Sequence, residues 1–184
     1  MTYWETLVKF DRKDRIFLDE FGAAQNMVLP YARAEKGDRA YSPQPTAKGR
    51  RVSTLGALGS QGLLTSMSFE GTLNGAVFLF FVQEFLLPCL DASKIVILDN
   101  ASAHYNKQAL ALIQTTGATL LFLPPYSPQM NPIELAWSQI KHFLKKTMPR
   151  TLDELYEALS SALNILTPQN AEAYFKHCFC VLSN

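Results

Sequence analysis

Cysteine is scarce in this sequence. Cys89, Cys178 and Cys180 are odd in number and show no paired spacing, which argues against a disulfide framework and for a reducing compartment. Cys178 and Cys180 flank no second Cys or His pair of the kind a structural zinc site uses, so packed thiols beside His177 are the expected reading. Charge imbalance is also lacking. A formal net charge of +1 provides no global attraction for nucleic acid, and any such binding must come from local clusters. The opening "MTYWETLVKFDRKDR" has no basic-apolar-small order, so no secretory leader is expected. The most apolar stretch, "GAVFLFFVQEFLLPCL", is interrupted by Gln83 and Glu84 and stopped by Pro88. It is too short to span a bilayer and reads as a buried helix, with no membrane as partner. Internal repeats and low-complexity tracts are missing too.

What remains is a chain of 184 residues, 48% hydrophobic and 18% charged, enough for one domain with a sizeable core. "DRIFLDE", residues 14 to 20, carries a β-type apolar run ending in acids. "VSTLGALGSQGLLTSMSF" reads as a hairpin around the Gly-Ser-Gln-Gly turn at 59 to 62. A helix is predicted over 73 to 87, a strand buried on both faces over 95 to 98, and a helix in "NKQALALIQTTG" stopped by Gly117. "ATLLFLPP" reads as another buried strand. Helices then follow from Pro132 and over 152 to 164, the latter opened by a Thr151–Glu154 capping box. The order β-β-β-α-β-α-β-α-α predicts an α/β fold with a mixed five-stranded sheet flanked by helices, the first strand lying beside the fourth. Ligands in such sheets gather outside the carboxyl ends of the parallel strands. Asp19 and Asp99 both stand at strand ends.

In "FLPPYSPQMNPIELAWSQIKHFLKK" three prolines keep an elbow extended and delay the helix until Asn131 can cap it and Pro132 can open it. Glu134 then falls at the third helical position, where its plainest role is the return half of a capping box. Asp99, delivered by a buried strand to the edge of the core, needs a partner for its charge. Asp19 and Glu20 point to opposite faces of their strand, and phase alone does not choose between them. Three carboxylates gathered at one point repel unless a cation joins them, and an all-oxygen set suits Mg²⁺ or Mn²⁺. Two such ions, about 3.5–4 Å apart, can stabilise both oxygens of an in-line phosphoryl displacement.

"LDEFG", "ILDNASAH" and "LFLPPYSPQMNPIELAW" together resemble the catalytic domain of DDE transposases, in particular bacterial insertion-sequence transposases related to the mariner superfamily. The 34 residues between Asp99 and Glu134 match the spacing of that branch, and the likeness extends through "GALGSQGLL" to "LTPQNAEAYFKHC". The resemblance implies a ribonuclease H-like fold over residues 1–184, with Asp19, Asp99 and Glu134 as catalytic metal ligands and the first acid of the Asp19–Glu20 pair as the ligand. It implies Mg²⁺ or Mn²⁺, as two ions, and cleavage followed by strand transfer at the ends of an insertion sequence. Alternatives are a metal nuclease without strand transfer and an inactive, domesticated DNA-binding or assembly protein. Implied partners are double-stranded DNA, a second copy in a homodimer, and an upstream helix-turn-helix reading-frame product in place of the missing N-terminal reader. The implied location is the bacterial cytoplasm, at the nucleoid when bound to DNA. The chain departs from the family pattern at Gln129, Met130, Ala32 and Glu35 without losing a proposed ligand.

Arg33, Lys36, Arg39, Lys48, Arg50 and Arg51, opposed only by Glu35 and Asp38 in that stretch, form a loop able to follow phosphates; a solvated loop is the plainer reading. Lys141 and Lys145 extend the same charge along the Glu134 helix, where the helix dipole also favours them. Asn100, His104 and Asn131 stand close enough in sequence to the acids to support them. Tyr126 offers a ring for a base to stack on, although such a tyrosine more often packs its elbow, and Trp137 belongs to the core. Without a helix to read groove edges, the chain alone should bind DNA weakly, show little preference for element ends, and lose affinity steeply with salt. Replacing Lys48, Arg50 and Arg51 by Ala should weaken binding to all sequences alike and flatten that dependence. A salt titration on matched end-containing and scrambled duplexes measures both effects.

Overall fold

The computed structural model describes residues 2–28, 35–39 and 49–179. Its strands β1 (Arg15–Ala24), β2 (Arg51–Gly59), β3 (Gly62–Glu70), β4 (Ile95–Leu98) and β5 (Thr119–Phe122) form one sheet in the order β3-β2-β1-β4-β5. The first three pair antiparallel, and β4 lies parallel to both β1 and β5. The predicted mixed sheet is therefore present, with the first strand beside the fourth. The turn between β2 and β3 falls at Ser60 and Gln61, inside the predicted hairpin.

Alternation along the strands builds two cores. Phe17, Phe21, Ile95 and Ile97 face helices α4 (Pro132–Thr147), α5 (Leu152–Asn164) and α6 (Pro168–Phe179), whose Trp137, Ile140, Leu155, Leu159 and Phe175 complete that layer. Ile16, Leu18, Val96 and Leu98 face α2 (Gly75–Phe81) and α3 (Lys107–Thr115) through Phe78, Phe81, Ala109 and Ile113. Four consecutive apolar residues in β4 are thus all buried, as a central strand covered on both sides requires. A short α1 (Tyr3–Leu7) adds Leu7 to the α4 side.

Local chemistry sets the element ends. Asn74 Oδ1 accepts from the N–H groups of Ala76 and Val77 at 2.9 and 3.0 Å and starts α2, which loosens into a wider π turn over Val82–Leu86 and a tighter 3₁₀ turn at Leu87–Cys89, around Pro88. Asn106 caps α3 in the same way, and Gly117 ends it at φ +82°. The Thr151–Glu154 capping box forms as predicted.

Four sequence expectations need correction. Asp19 is not at a strand end: it is the fifth residue of β1, which runs on past its parallel pairing with β4 and stays paired with β2 as far as Ala24. β5 is only half-buried, because it is the last strand of the sheet and has one neighbour rather than two. Asn131 makes no side-chain cap on α4, so the Asn131–Glu134 capping box does not exist and Glu134 is not used up there. The chain also continues into α6, a helix outside the predicted order, whose Ala171, Phe175 and Phe179 recur every fourth residue and bury themselves against the α4 layer.

What seats α4 is an absence of side chain opposite it. Gly56 on β2 lies under Trp137, and a Cβ added there would stand 2.6 Å from the indole ring. Trp137 is fully buried and also tilts against Phe21, with ring centroids 4.6 Å apart. Gly56→Ala should therefore overpack this layer and destabilise the protein by about 1–3 kcal/mol, read from urea denaturation.

Candidate active site

The register of the parallel pair decides where the acids meet. Arg15 pairs with Ile95 and Phe17 with Ile97, and from there Asp19 and Asp99 each lie two residues further along the chain. Asp19 shares the phase of Phe17 and so turns toward the face covered by α4, whose first turn carries Glu134, while Asp99 follows the last residue of β4 and borders the same cleft as Glu134. Glu20 has the other phase and meets Arg51 at 3.8 Å instead. Strand alternation thus separates two acids that strand phase read from the sequence leaves equivalent.

Asp19 is only 7% exposed. Its Oδ1 accepts from the Glu20 N–H at 2.8 Å, and its Oδ2 is buried without a hydrogen-bond partner among the described residues. Burial, then the charges of Glu134 and, more weakly, Asp99, push its carboxyl up to about 8, with Lys141 pulling slightly the other way. Asp99 behaves oppositely. Burial alone would raise it, but hydrogen bonds from His104 and the Ala101 N–H outweigh burial and hold it below the usual carboxylate range.

His104 fixes that difference. It is 1% exposed, its Nδ1 lies 2.6 Å from Asp99 Oδ1, and its ring packs 4.9 Å from that of Phe78. Its Nε2 has no hydrogen-bond partner among the described residues, so the tautomer with Nδ1–H donating to the carboxylate leaves no ring N–H unpaired. Asn100 braces the neighbouring wall: its Nδ2 donates to the Leu123 carbonyl and its Oδ1 accepts from the Tyr105 hydroxyl, both at 2.7 Å. Tyr105 in turn stacks on Phe122. The end of β4 is thereby tied to the start of the proline elbow.

Between these groups lies a cleft of about 460 Å³ bounded by Asp99, Pro124, Tyr126, Pro128, Asn131 and Glu134. Asp19 is not in its wall but stands within electrostatic reach of both other acids. Among the described residues no three His, Cys, Asp or Glu side chains are closed to the spacing that grips a metal ion. The donor set nonetheless fits a hard divalent cation: three carboxylates, one with a buried oxygen still lacking a partner. The Cys178 thiol is pushed up by burial to about 11 and behaves as a packed thiol, as expected.

The basic residues divide. Arg33 and Lys48 lie outside the described residues, while Lys36 and Arg39 are exposed. Arg50 and Arg51 reach Glu70 at 3.6 Å and Glu20 at 3.8 Å, so both already have carboxylate neighbours. Lys141 sits two helical turns beyond Glu134 with its ammonium 5.9 Å from the Phe21 ring centroid, near enough to act on Asp19. Lys145, one turn further, is half-buried. Tyr126 does not pack the elbow. It is fully exposed, which its neighbours in sequence do not foretell.

Residues 14–156 match the model of the DDE superfamily endonuclease family. The chain belongs to that family. Its fold is that of the Mos1 transposase paired-end complex with left transposon end, at a TM-score of 0.74 and 14% identity over 97% of this chain and 58% of that one. The mariner Mos1 paired-end complex with Mg is similar at a TM-score of 0.75 and 16% identity, over 98% and 58%. An uncharacterised protein of Sinorhizobium fredii, y4pE/y4sA, is 32% identical over 79 residues, which are 42% of this chain and 56% of that protein. The chain thus spans little more than half the length of each. The ribonuclease H-like sheet of this endonuclease family accounts for the parallel strands that carry Asp19 and Asp99. No helix among the described residues is long and apolar enough to cross a membrane.

The raised Asp19 carboxyl has a consequence for stability. Folded, it keeps its proton up to about pH 8; unfolded, it ionises near its ordinary value of about 3.9. Between these values the unfolded chain binds fewer protons, so this group removes stability as pH rises from about 4 to about 8. Asp19→Asn should gain on the parent progressively through that window in chelator, measured as the difference in urea unfolding free energy at each pH.

Proposed function

We propose that Asp19, Asp99 and Glu134 hold divalent ions for cleavage of a DNA strand and for its transfer at the ends of an insertion sequence. The observation that carries this reading is a set of carboxylates from separate elements, Asp99 and Glu134 on one cleft and Asp19 within electrostatic reach of both, with Asp19 Oδ2 buried and without a partner among the described residues. Membership of the endonuclease family, and the Mos1 complexes with transposon ends and with Mg, support it.

Mg²⁺ or Mn²⁺ bound there would lower the pKa of a water and neutralise charge on the attacking and leaving oxygens of the phosphodiester. The residues of the chain do the rest. His104 holds Asp99 by one oxygen and keeps it ionised, leaving Oδ2 for a ligand. Asn100 keeps the elbow against the end of β4. Glu134, not engaged in capping, is carried by a helix whose Trp137 is locked in the core. Lys141 supplies positive charge beside the acids, suited to a phosphate on the strand being cut. The second copy and the upstream end-reading product belong to the same reading as partners of the assembled complex.

The test is incubation with native element ends and Mn²⁺, with and without the upstream product, scoring cleavage and joining separately. Asp19→Asn, Asp99→Asn and Glu134→Gln should each abolish cleavage in a folded protein; activity surviving in all three would dismiss the site. His104→Ala should raise the Mn²⁺ requirement about 10–100-fold, the usual cost of removing the partner that orients a ligand. Cleavage without joining would identify a nuclease of this fold.

A further inference from the structure

We propose that the outer edge of β3 pairs with the β3 of a second copy of this chain, antiparallel about a two-fold axis at Met67, so that two sheets join into one. The inference does not rest on the cleavage reading. It comes from the edge strand and the groove beside it.

An edge strand presents a row of unpaired N–H and C=O groups, and proteins shield such edges by short length, charge, proline or a cover. The other edge of this sheet is shielded in that way: β5 is four residues long and runs into Pro124 and Pro125. β3 is nine residues long, has β2 as its one neighbour among the described residues, and carries no charge or proline from Gly62 to Phe69. Its one irregularity is the register shift opposite Ala57 and Leu58, which leaves Leu64 as an extra residue, 41% exposed. Beyond that bulge, Thr65 to Glu70 pair with β2 without a break, and Thr65 to Phe69 are each half-buried. That stretch is a regular, uncharged template with one side open.

What fits this edge is the same edge turned around. With the axis at Met67, Thr65 stands opposite Phe69 of the second copy, Ser66 opposite its Ser68, and Met67 opposite its Met67. A β-branched residue against an aromatic and a hydroxyl against a hydroxyl both stabilise antiparallel pairs, and methionine adapts to the gap at the centre. The one charge of the strand, Glu70, falls opposite Leu64, whereas parallel pairing in register would set Glu70 against Glu70. Met67 and Phe69 lie on the α2 side, where their own fold covers them only in part. Pairing therefore removes further apolar surface from water.

Space for the second strand is present. A groove of about 420 Å³ borders Leu64, Thr65 and Ser66, and its far wall carries Ser160, Leu163 and Asn164 of α5. The end of the second copy's strand enters there, with its Glu70 carboxylate toward the Ser160 hydroxyl and the Asn164 amide, both able to donate to it. Antiparallel pairing also reverses the second copy's β1, so the two carboxylate clefts open at opposite ends of the joined sheet. The contact thus leaves both clefts free and holds two chains together without DNA.

The experiment uses the full chain in chelator without DNA and reads its mass by sedimentation equilibrium over a dilution series. The parent should form a dimer that dissociates on dilution. Met67→Lys and Met67→Glu each set like charges across the axis and should each weaken the dimer about tenfold or more. An equimolar mixture of the two should restore it as a mixed dimer, which a variant lost to misfolding could not do; urea unfolding confirms that each is folded. Independently of the charged variants, Met67→Cys should be linked into a dimer by a short bismaleimide, with residue 67 in both joined peptides. A parent that stays monomeric at every concentration, a dimer as stable in Met67→Lys as in the parent, folded charge variants whose mixture stays monomeric, or crosslinks that omit residue 67 would overturn the pairing. Each of these readouts is taken without metal or DNA, so failure of the pairing and failure of the cleavage reading are told apart.

Discussion

The seat of α4 on the sheet is the constraint on which the rest depends. Trp137 fills the space that Gly56 leaves and lies against Phe21, and a helix is rigid enough that fixing one buried ring fixes the turn before it. Glu134 is three residues upstream, so the core packing of one aromatic sets the position of a carboxylate. The same helix presents Lys141 on the side of Asp19. A shift of α4 by one residue would move the core and the acids together, which couples the stability of this layer to the geometry of the site.

Two aspartates, one within β1 and one just after β4, have opposite electrostatics, and the difference comes from what surrounds them. Asp99 has a buried histidine and a backbone N–H as donors, and it stays ionised. Asp19 has one backbone donor, deeper burial and two nearby carboxylates. Charge is therefore concentrated at Asp99, while Asp19 holds its proton well above the usual carboxylate range. The proline elbow closes the far side. It puts Tyr126, with a left-handed backbone, and Asn131, with an amide oxygen unpaired among the described residues, beside the acids.

Much of this was legible from residue order. Four apolar residues ending in Asp99 announced a strand covered on both sides, the Gly-Ser-Gln-Gly turn announced the hairpin, and the prolines before Asn131 announced where α4 begins. Errors arose where local pattern and tertiary context differ. "TLLF" looks as apolar as "IVIL", but only the position of a strand in the sheet says whether it has one neighbour or two. Asn-Pro-x-Glu is a good capping sequence, yet Asn131 is buried beside the cleft and its side chain makes no cap.

The sequence by itself determined the element order up to α5, the mixed sheet, Asp99 and Glu134 at element ends and the family the chain resembles, because apolar periodicity and turn chemistry are local properties. Only the tertiary structure decided which acid of the Asp19–Glu20 pair faces α4, that His104 orients Asp99, that Arg50 and Arg51 lie against carboxylates, and that Tyr126 stands free at the cleft. Each of those depends on register between strands distant in sequence, or on which surfaces are left after packing. Neither is encoded in any short stretch of the chain.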